Sequence, residues 1–218
     1  MSFVFTFNSL VEQVVKEVDR RDEQFLASIP VFITLSIVSL SRKLHILGTK
    51  KFVSGTLIAG QPSYPKPNLW LSNTNFAIQT QNPLTAGGTT FNTTKQLRQR
   101  SIEYCWKYSP NPEELGEPKY YASDYDYNVY TVCPTPDKNY PYTWGYYAFP
   151  DGIDENNQTN FFTMYIPDAF YYDVLVRAGV HVEDVRVPVW KNLADEAVAS
   201  ISAEDIGRIN DAISVRGS

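Results

Sequence analysis

Along the first fifty residues the apolar positions recur every three or four residues, the spacing of one helix face. Val11, Val14, Val15 and Val18 mark a first amphipathic helix, with Asn8 or Ser9 placed to cap it. Beyond the charged turn DRRDEQ, Ile33, Ile37, Leu40 and Leu44 mark a second stripe that ends at Gly48. Pro30 is expected to open the main body of that helix, because a first turn accepts proline. Two helices joined by so short a link are expected to pack antiparallel. From Lys50 to about Asp151 the period falls to two, and turn-rich stretches punctuate it: GQPSYPKPN, NPLTAGGTT, SPNPEELGEP and PTPDKNYP. In LRQRSIEYCWKYSP, alternation places Ile102, Tyr104, Trp106 and Tyr108 on one face of a predicted strand, and Ser101, Glu103, Cys105 and Lys107 on the other. KYYASDYDYNVYTVC repeats the device with Tyr121, Tyr125, Tyr127 and Val129, and YPYTWGYYAF repeats it with Tyr140, Tyr142, Trp144 and Tyr146. After DGIDENNQTN the helical spacing returns. Pro167 suits the first turn of a helix carrying Phe170, Val174 and Val180, and a further helix carries Trp190, Leu193, Ala197 and Ile201. Ser202-Ala-Glu-Asp205 then offers a cap for a last short helix through Ile206 and Ile209.

These elements predict an α+β fold in four segments. Residues 1–49 form an N-terminal helix pair, 50–160 an antiparallel β domain of sandwich or barrel-like form, 161–201 a C-terminal helix pair, and 202–218 an extension. The simplest packing joins the two pairs into a four-helix bundle from which the inserted β domain projects.

Charge and cysteine content narrow the possible roles. A formal net charge of −5 provides no broad basic surface for gripping phosphates, so DNA binding by affinity is not expected. Two cysteines, Cys105 and Cys133, make neither a disulfide framework nor a zinc site, and a reducing compartment fits them. MSFVFTFNSLVEQVVKE has no secretory pattern. The apolar run IPVFITLSIVSL would rise only about 18 Å as a helix, short of the ~20 residues that a bilayer requires. It reads as a buried helix, with no membrane partner.

Neither His45 nor His181 has a Cys or His at metal spacing, and both read as helix-end residues. GxxxxGK[ST], GxSxG and HExxH are all missing from the sequence. Cys105 has only Lys107 nearby to lower its pKa and reads as an inert structural thiol, as does Cys133. Asp124 and Asp126 fall opposite the tyrosines, on the watery side of their strand, which disfavours a paired-carboxylate hydrolase. Asp151, Asp154 and Glu155 lack the regular spacing of a calcium loop. The expectation is therefore no catalytic residue, no cofactor and no metal ligand. The aromatic surplus still needs an explanation, since every tyrosine except Tyr64 lies between Tyr104 and Tyr172. A β core, a protein interface and a carbohydrate-stacking platform each fit side chains that join an apolar body to a polar tip.

Taken together and in order, the segments LRQRSIEYCWKYSPN, GEPKYYA, VCPTPDKNYPYTWGYYAFPDGI and NFFTMYIPDAFYYDVLVRAGVHVED resemble the head-to-tail adaptor, or connector, family of short-tailed bacteriophages. The resemblance runs from the N-terminal helices to about Ser200. It implies a non-enzymatic structural protein of the virion neck, assembled in the host cytoplasm as a homo-oligomeric, dodecameric ring. Such a ring would dock on the portal protein, offer a platform to tail nozzle or fibre-adaptor proteins, and line a conduit through which genomic DNA passes without specific binding. The resemblance identifies no contact residue by motif. The chain's own features suggest Asp205, Ile206, Arg208, Ile209, Val215 and Arg216 of the long C-terminal tail for the portal. Asp151, Asp154, Asn156 and Asn157 of one loop, with Thr85 and Gly87 of a hairpin, are candidates for the tail, and Arg98 and Arg100 for the neighbouring subunit. The alternative reading is a carbohydrate-binding β module that uses exposed Tyr and Trp.

Overall fold

The computed structural model describes residues 4–44, 47–83, 90–111, 113–123 and 128–214, with backbone alone at 47, 81–83, 90–92 and 205–214. In chain order the elements are α1 (Phe7–Val18), α2 (Glu23–Lys43), β1 (Lys50–Leu57), β2 (Ser63–Pro65), β3 (Trp70–Pro83), β4 (Thr90–Gln99), α3 (Ile102–Tyr108) and β5 (Leu115–Gly116). They continue with β6 (Tyr120–Ala122), β7 (Val129–Cys133), β8 (Thr135–Pro136), β9 (Tyr140–Ala148), α4 (Phe161–Tyr165), α5 (Pro167–His181) and α6 (Val187–Ser214). The chain divides into two compact units, one of Met1–Thr49 with Phe149–Ser218 and one of Lys50–Ala148.

In the helical unit α1 starts one turn earlier than its valines suggest. Thr6 is the cap: its hydroxyl accepts the Ser9 N–H at 3.1 Å, while the Ser9 hydroxyl accepts the Thr6 N–H at 2.8 Å. That reciprocal pair lets Phe7 and Leu10 join Val14 and Val18 on the buried face. Asp22 caps α2 by accepting the Phe25 N–H at 3.0 Å, so Pro30 lies inside the helix and not in its first turn. An interior proline costs about 3 kcal/mol. Starting at Glu23 buries Phe25 and Ile29 in line with Ile33, Ile37 and Leu40, and each such side chain contributes roughly 2 kcal/mol, which offsets the break. By length and composition α2 could cross a membrane, yet its Phe25-to-Leu40 face is core.

The central element is α5, against which α1, α2, α4 and α6 all pack. Pro167 does occupy its first turn. Phe170 and Val174 are buried with Ala178, whereas Val180, two residues past that stripe, is exposed. Gly179 admits α6: a Cβ there would lie 2.6 Å from the Trp190 ring and 2.7 Å from Val187. One polar link crosses the apolar packing. The Arg177 Nε donates to Asp173 Oδ2 and to Ser36 Oγ, both at 3.0 Å, joining α5 to α2. No new cap forms at Ser202. Its hydroxyl turns back to donate to the Val198 carbonyl at 2.9 Å, and α6 runs through as one helix.

The β unit is built on one curled seven-stranded sheet, a half-barrel, in the order β1-β9-β3-β4-β6-β7-β2. It departs from the wholly antiparallel expectation at one seam, where β4 and β6 run parallel, and β5 pairs with β8 in a separate parallel ribbon. The core is ring against ring. Phe76 of β3 has Tyr121, Tyr130, Tyr142 and Trp144 around it at centroid distances of 5.1 to 5.5 Å.

The predicted strand at 102–108 is corrected to helix α3. Ser101 caps it by accepting the Tyr104 N–H at 3.3 Å, and Glu103 sits in its first turn, where the helix dipole favours an acid. Tyr104 and Tyr108, four residues apart, stack at 6.2 Å. Four-residue spacing and two-residue spacing coincide at those positions, so the aromatic pattern by itself did not separate helix from strand.

Candidate functional site

The candidate sites among the described residues are surfaces and one open pocket. Among the described residues no group of three or more His, Cys, Asp or Glu is placed to hold a metal ion. His45, Asp124 and Asp126 lie outside the described residues, while His181 packs its ring against Phe25 and Phe32.

Part of the aromatic surplus is core. Tyr64, Tyr121, Tyr130, Tyr140, Tyr146 and Trp144 are buried in the β unit. Burial pushes the Tyr121 phenol up to about 12 and moves Tyr130 and Tyr140 higher still. Tyr140 also donates to Asp137 Oδ1 at 2.6 Å. What is left over for a partner is concentrated on α3, where Trp106 is 63% exposed and Tyr104 and Tyr108 flank it.

The α3 ledge borders an open pocket of about 290 Å³. Ile102, Cys105, Trp106 and Ser109 line one side of it at spacings of three, four and seven residues, the signature of a helix face, and β7 supplies Val129, Thr131 and Cys133 opposite. That spacing was present in the sequence, and it is the signal by which the helix and the pocket could have been found. Arg100 lies over the Tyr104 ring at 5.4 Å and the Tyr120 ring at 5.9 Å, so it already serves to hold α3 against β6. Arg98 is exposed on β4, next to Tyr120 in the parallel pair.

The loop expected to face the tail belongs to the helical unit and is laced to itself. Asp154 Oδ1 accepts the N–H groups of Asn156 at 2.7 Å and Asn157 at 2.8 Å, and the Asn157 amide donates to the Gly152 carbonyl. Asn160 donates to the Asp151 carbonyl at 2.8 Å and caps α4. The Gln158 carbonyl accepts the Phe7 N–H at 2.7 Å, which fastens the loop to the start of α1. Asp154 and Asn157 are thus committed to the turn, while Asp151 and Asn156 face outward. Thr85, Gly87, Val215 and Arg216 lie outside the described residues. Asp205, Ile206, Arg208 and Ile209 continue the backbone of α6.

Sequence reasoning missed one surface. Between Gln24 and Ser41 the α2 sequence carries no charge, and its outer side leaves Leu26, Val31 (55%) and Leu35 (47%) exposed. An apolar side of that kind on a helix whose other side is core is unusual on a free surface. The clue was the missing polar face in the helical pattern.

Compared with known proteins, the chain matches the family model described as SU10 adaptor protein over residues 5–216. Among curated proteins, none matches it.

Proposed function

Since the chain belongs to the SU10 adaptor protein family of phage head-to-tail adaptors, structural components of the virion neck, we propose that it joins the portal to the tail nozzle as a closed ring. The observation that carries this reading is a family match spanning nearly the whole chain, helical and β units alike. The ring is homo-oligomeric, with twelve copies by analogy with similar adaptors, built in the host cytoplasm and closed around a channel for DNA. A net charge of −5 suits a conduit through which a polyanion slides without sticking. Each copy in such a heterologous ring buries two different patches, so modest pairwise contacts add up to a stable collar.

Within this reading the uncharged outer side of α2 packs against a neighbour, the end of α6 reaches the portal, and the ledge of Trp106 with the outward residues of the 151–160 loop meets the tail. Arg98 remains a candidate for a contact between subunits. Portal binding tests the role directly. A chain ending at Ile201 keeps Trp190 in the core, the buried Ala194, and Val198 and Ile201 packed against the core, and it is expected to fold yet fail to co-sediment with portal rings. Normal co-sedimentation would remove the α6 assignment. Val31→Asp with Leu35→Asp should shift the assembled species toward monomer in sedimentation velocity, and an unchanged distribution would dismiss α2 as the ring contact.

The exposure of Trp106 favours one second reading, a carbohydrate contact by stacking. A glycan array that shows binding lost in Trp106→Ala would support it, and a blank array would discard it.

A further inference from the structure

Two thiols share the wall of the pocket in the β unit. Cys105 is the one fully buried side chain of α3, and Cys133 ends β7. Together with Ala122 they form a small cluster of their own, apart from the ring-packed core. The sulfurs meet in a thiol–thiol hydrogen bond. The rest of this seven-residue helix is held on its β6 side, where Tyr104 and Tyr108 meet the Tyr120 ring edge-on at 5.2 and 4.9 Å and Arg100 bridges the Tyr104 and Tyr120 rings, so the thiol pair is its buried link to β7.

We propose that Cys105 and Cys133 form an intrachain disulfide site that staples α3 to β7 once the protein meets a small hydroperoxide oxidant. Both sulfurs line the pocket, whose volume of about 290 Å³ admits a hydroperoxide. One thiolate attacks the O–O bond to give a sulfenic acid and releases water, or an alcohol if the oxidant is an alkyl hydroperoxide. The second thiol then attacks that sulfur, the S–S bond forms and water leaves. Two thiol hydrogens and two electrons have passed to one peroxide. The bond would close a loop of about 30 residues, and by constraining the unfolded chain it would stabilise the β unit.

The same contact disfavours Cys133 as the attacking thiolate at neutral pH. The hydrogen bond that the Cys133 thiol donates to Cys105 first, and burial second, hold Cys133 well above its ordinary range, so this cysteine supplies little thiolate until the solution is made alkaline. The staple would therefore stay open through folding in a reducing compartment and close later. It does not depend on the adaptor reading, since the two sulfurs and the pocket belong to the β unit alone.

Hydrogen peroxide is the probe, applied to the purified full chain at neutral and mildly alkaline pH, followed by intact mass and peptide mapping without reductant. The expected result is joint loss of both thiols, a mass lower by two hydrogens, a single linked peptide joining Cys105 to Cys133, and faster conversion at the higher pH. The melting midpoint should rise by about 5–10 °C and fall back on reduction. Cys133→Ser, checked for folding by circular dichroism, should give oxygen adducts on Cys105 and no cross-link. Should that variant fail to fold, the wild-type map decides. The proposal is overturned if native protein keeps both thiols under an exposure that oxidises the urea-unfolded chain, if each cysteine gains oxygen separately, or if the only cross-links join different chains.

Discussion

The two units bury their residues by different chemistry. The helical core is mainly aliphatic, with Leu10, Val14, Ile29, Ile33, Leu40, Val174 and Leu175 filling the space around α5, and one Asp173–Arg177–Ser36 link crossing it. The core of the β unit is rich in rings that carry hydroxyls: Tyr64, Tyr121, Tyr130 and Tyr140 share it with Phe76 and Trp144, beside the aliphatic Leu57, Ile78, Leu97 and Val132. A sheet curled on itself gains most from few, large, rigid side chains, each burying much area at a small rotamer cost. A helix cluster is filled more evenly by branched aliphatics at three and four residue spacing. The tyrosine excess, which invites a reading as an interface, is first of all how this sheet fills its interior.

Alkali should separate the units most strongly. A buried phenol with a raised pKa favours the folded state while protonated. Its contribution is complete below the ordinary tyrosine value near 10 and is lost as pH climbs through the folded value, about 12 for Tyr121 and higher for Tyr130 and Tyr140. Among the helical residues Tyr171 is shifted likewise, up to about 12, mainly by burial. The β unit, with more such groups, is expected to unfold first and completely as pH passes 12, read by tyrosinate absorbance alongside far-UV dichroism at the helical minimum. Simultaneous loss of both signals would break the contrast. Trp144→Ala removes the ring stacked on Phe76 at 5.5 Å and should cost about 4 kcal/mol, seen as a lowered denaturant midpoint in the β unit's near-UV signal. Gly179→Val drives a side chain into Trp190 and Val187 and should cost the helical unit about 3 kcal/mol, measured the same way by far-UV signal. Ser101→Ala, which only uncaps α3, should cost about 1 kcal/mol and leave Phe76 and its neighbours packed, checked by unchanged near-UV dichroism.

Legibility followed the same division. Val14, Val18, Ile33, Ile37, Leu40, Phe170 and Val174 were assigned to a buried helical face and are there, because a long amphipathic helix declares its core side through periodicity alone. Tyr140, Trp144 and Tyr146 alternate in β9 as expected. The stretch 102–108 was misread as a strand because Tyr104 and Tyr108 satisfy both periods, and Ser101 with Glu103 was not weighed as a helix start. In the 151–160 loop the acidic and amide residues were read as outward contacts, whereas Asp154, Asn157 and Asn160 spend their side chains on neighbouring backbone groups. No composition reveals such local bonds.

Period, proline placement and turn residues, all local quantities, were enough to set out an α+β chain of helices around a strand-rich middle, and the ordered segments were enough to place it among phage adaptors. Which strands became neighbours was decided only in three dimensions, including the parallel seam of β4 with β6, as were the meeting of Cys105 with Cys133 and the side of α2 left bare. Those outcomes depend on contacts between residues far apart in sequence, whose energies exist only once the loops between them have closed.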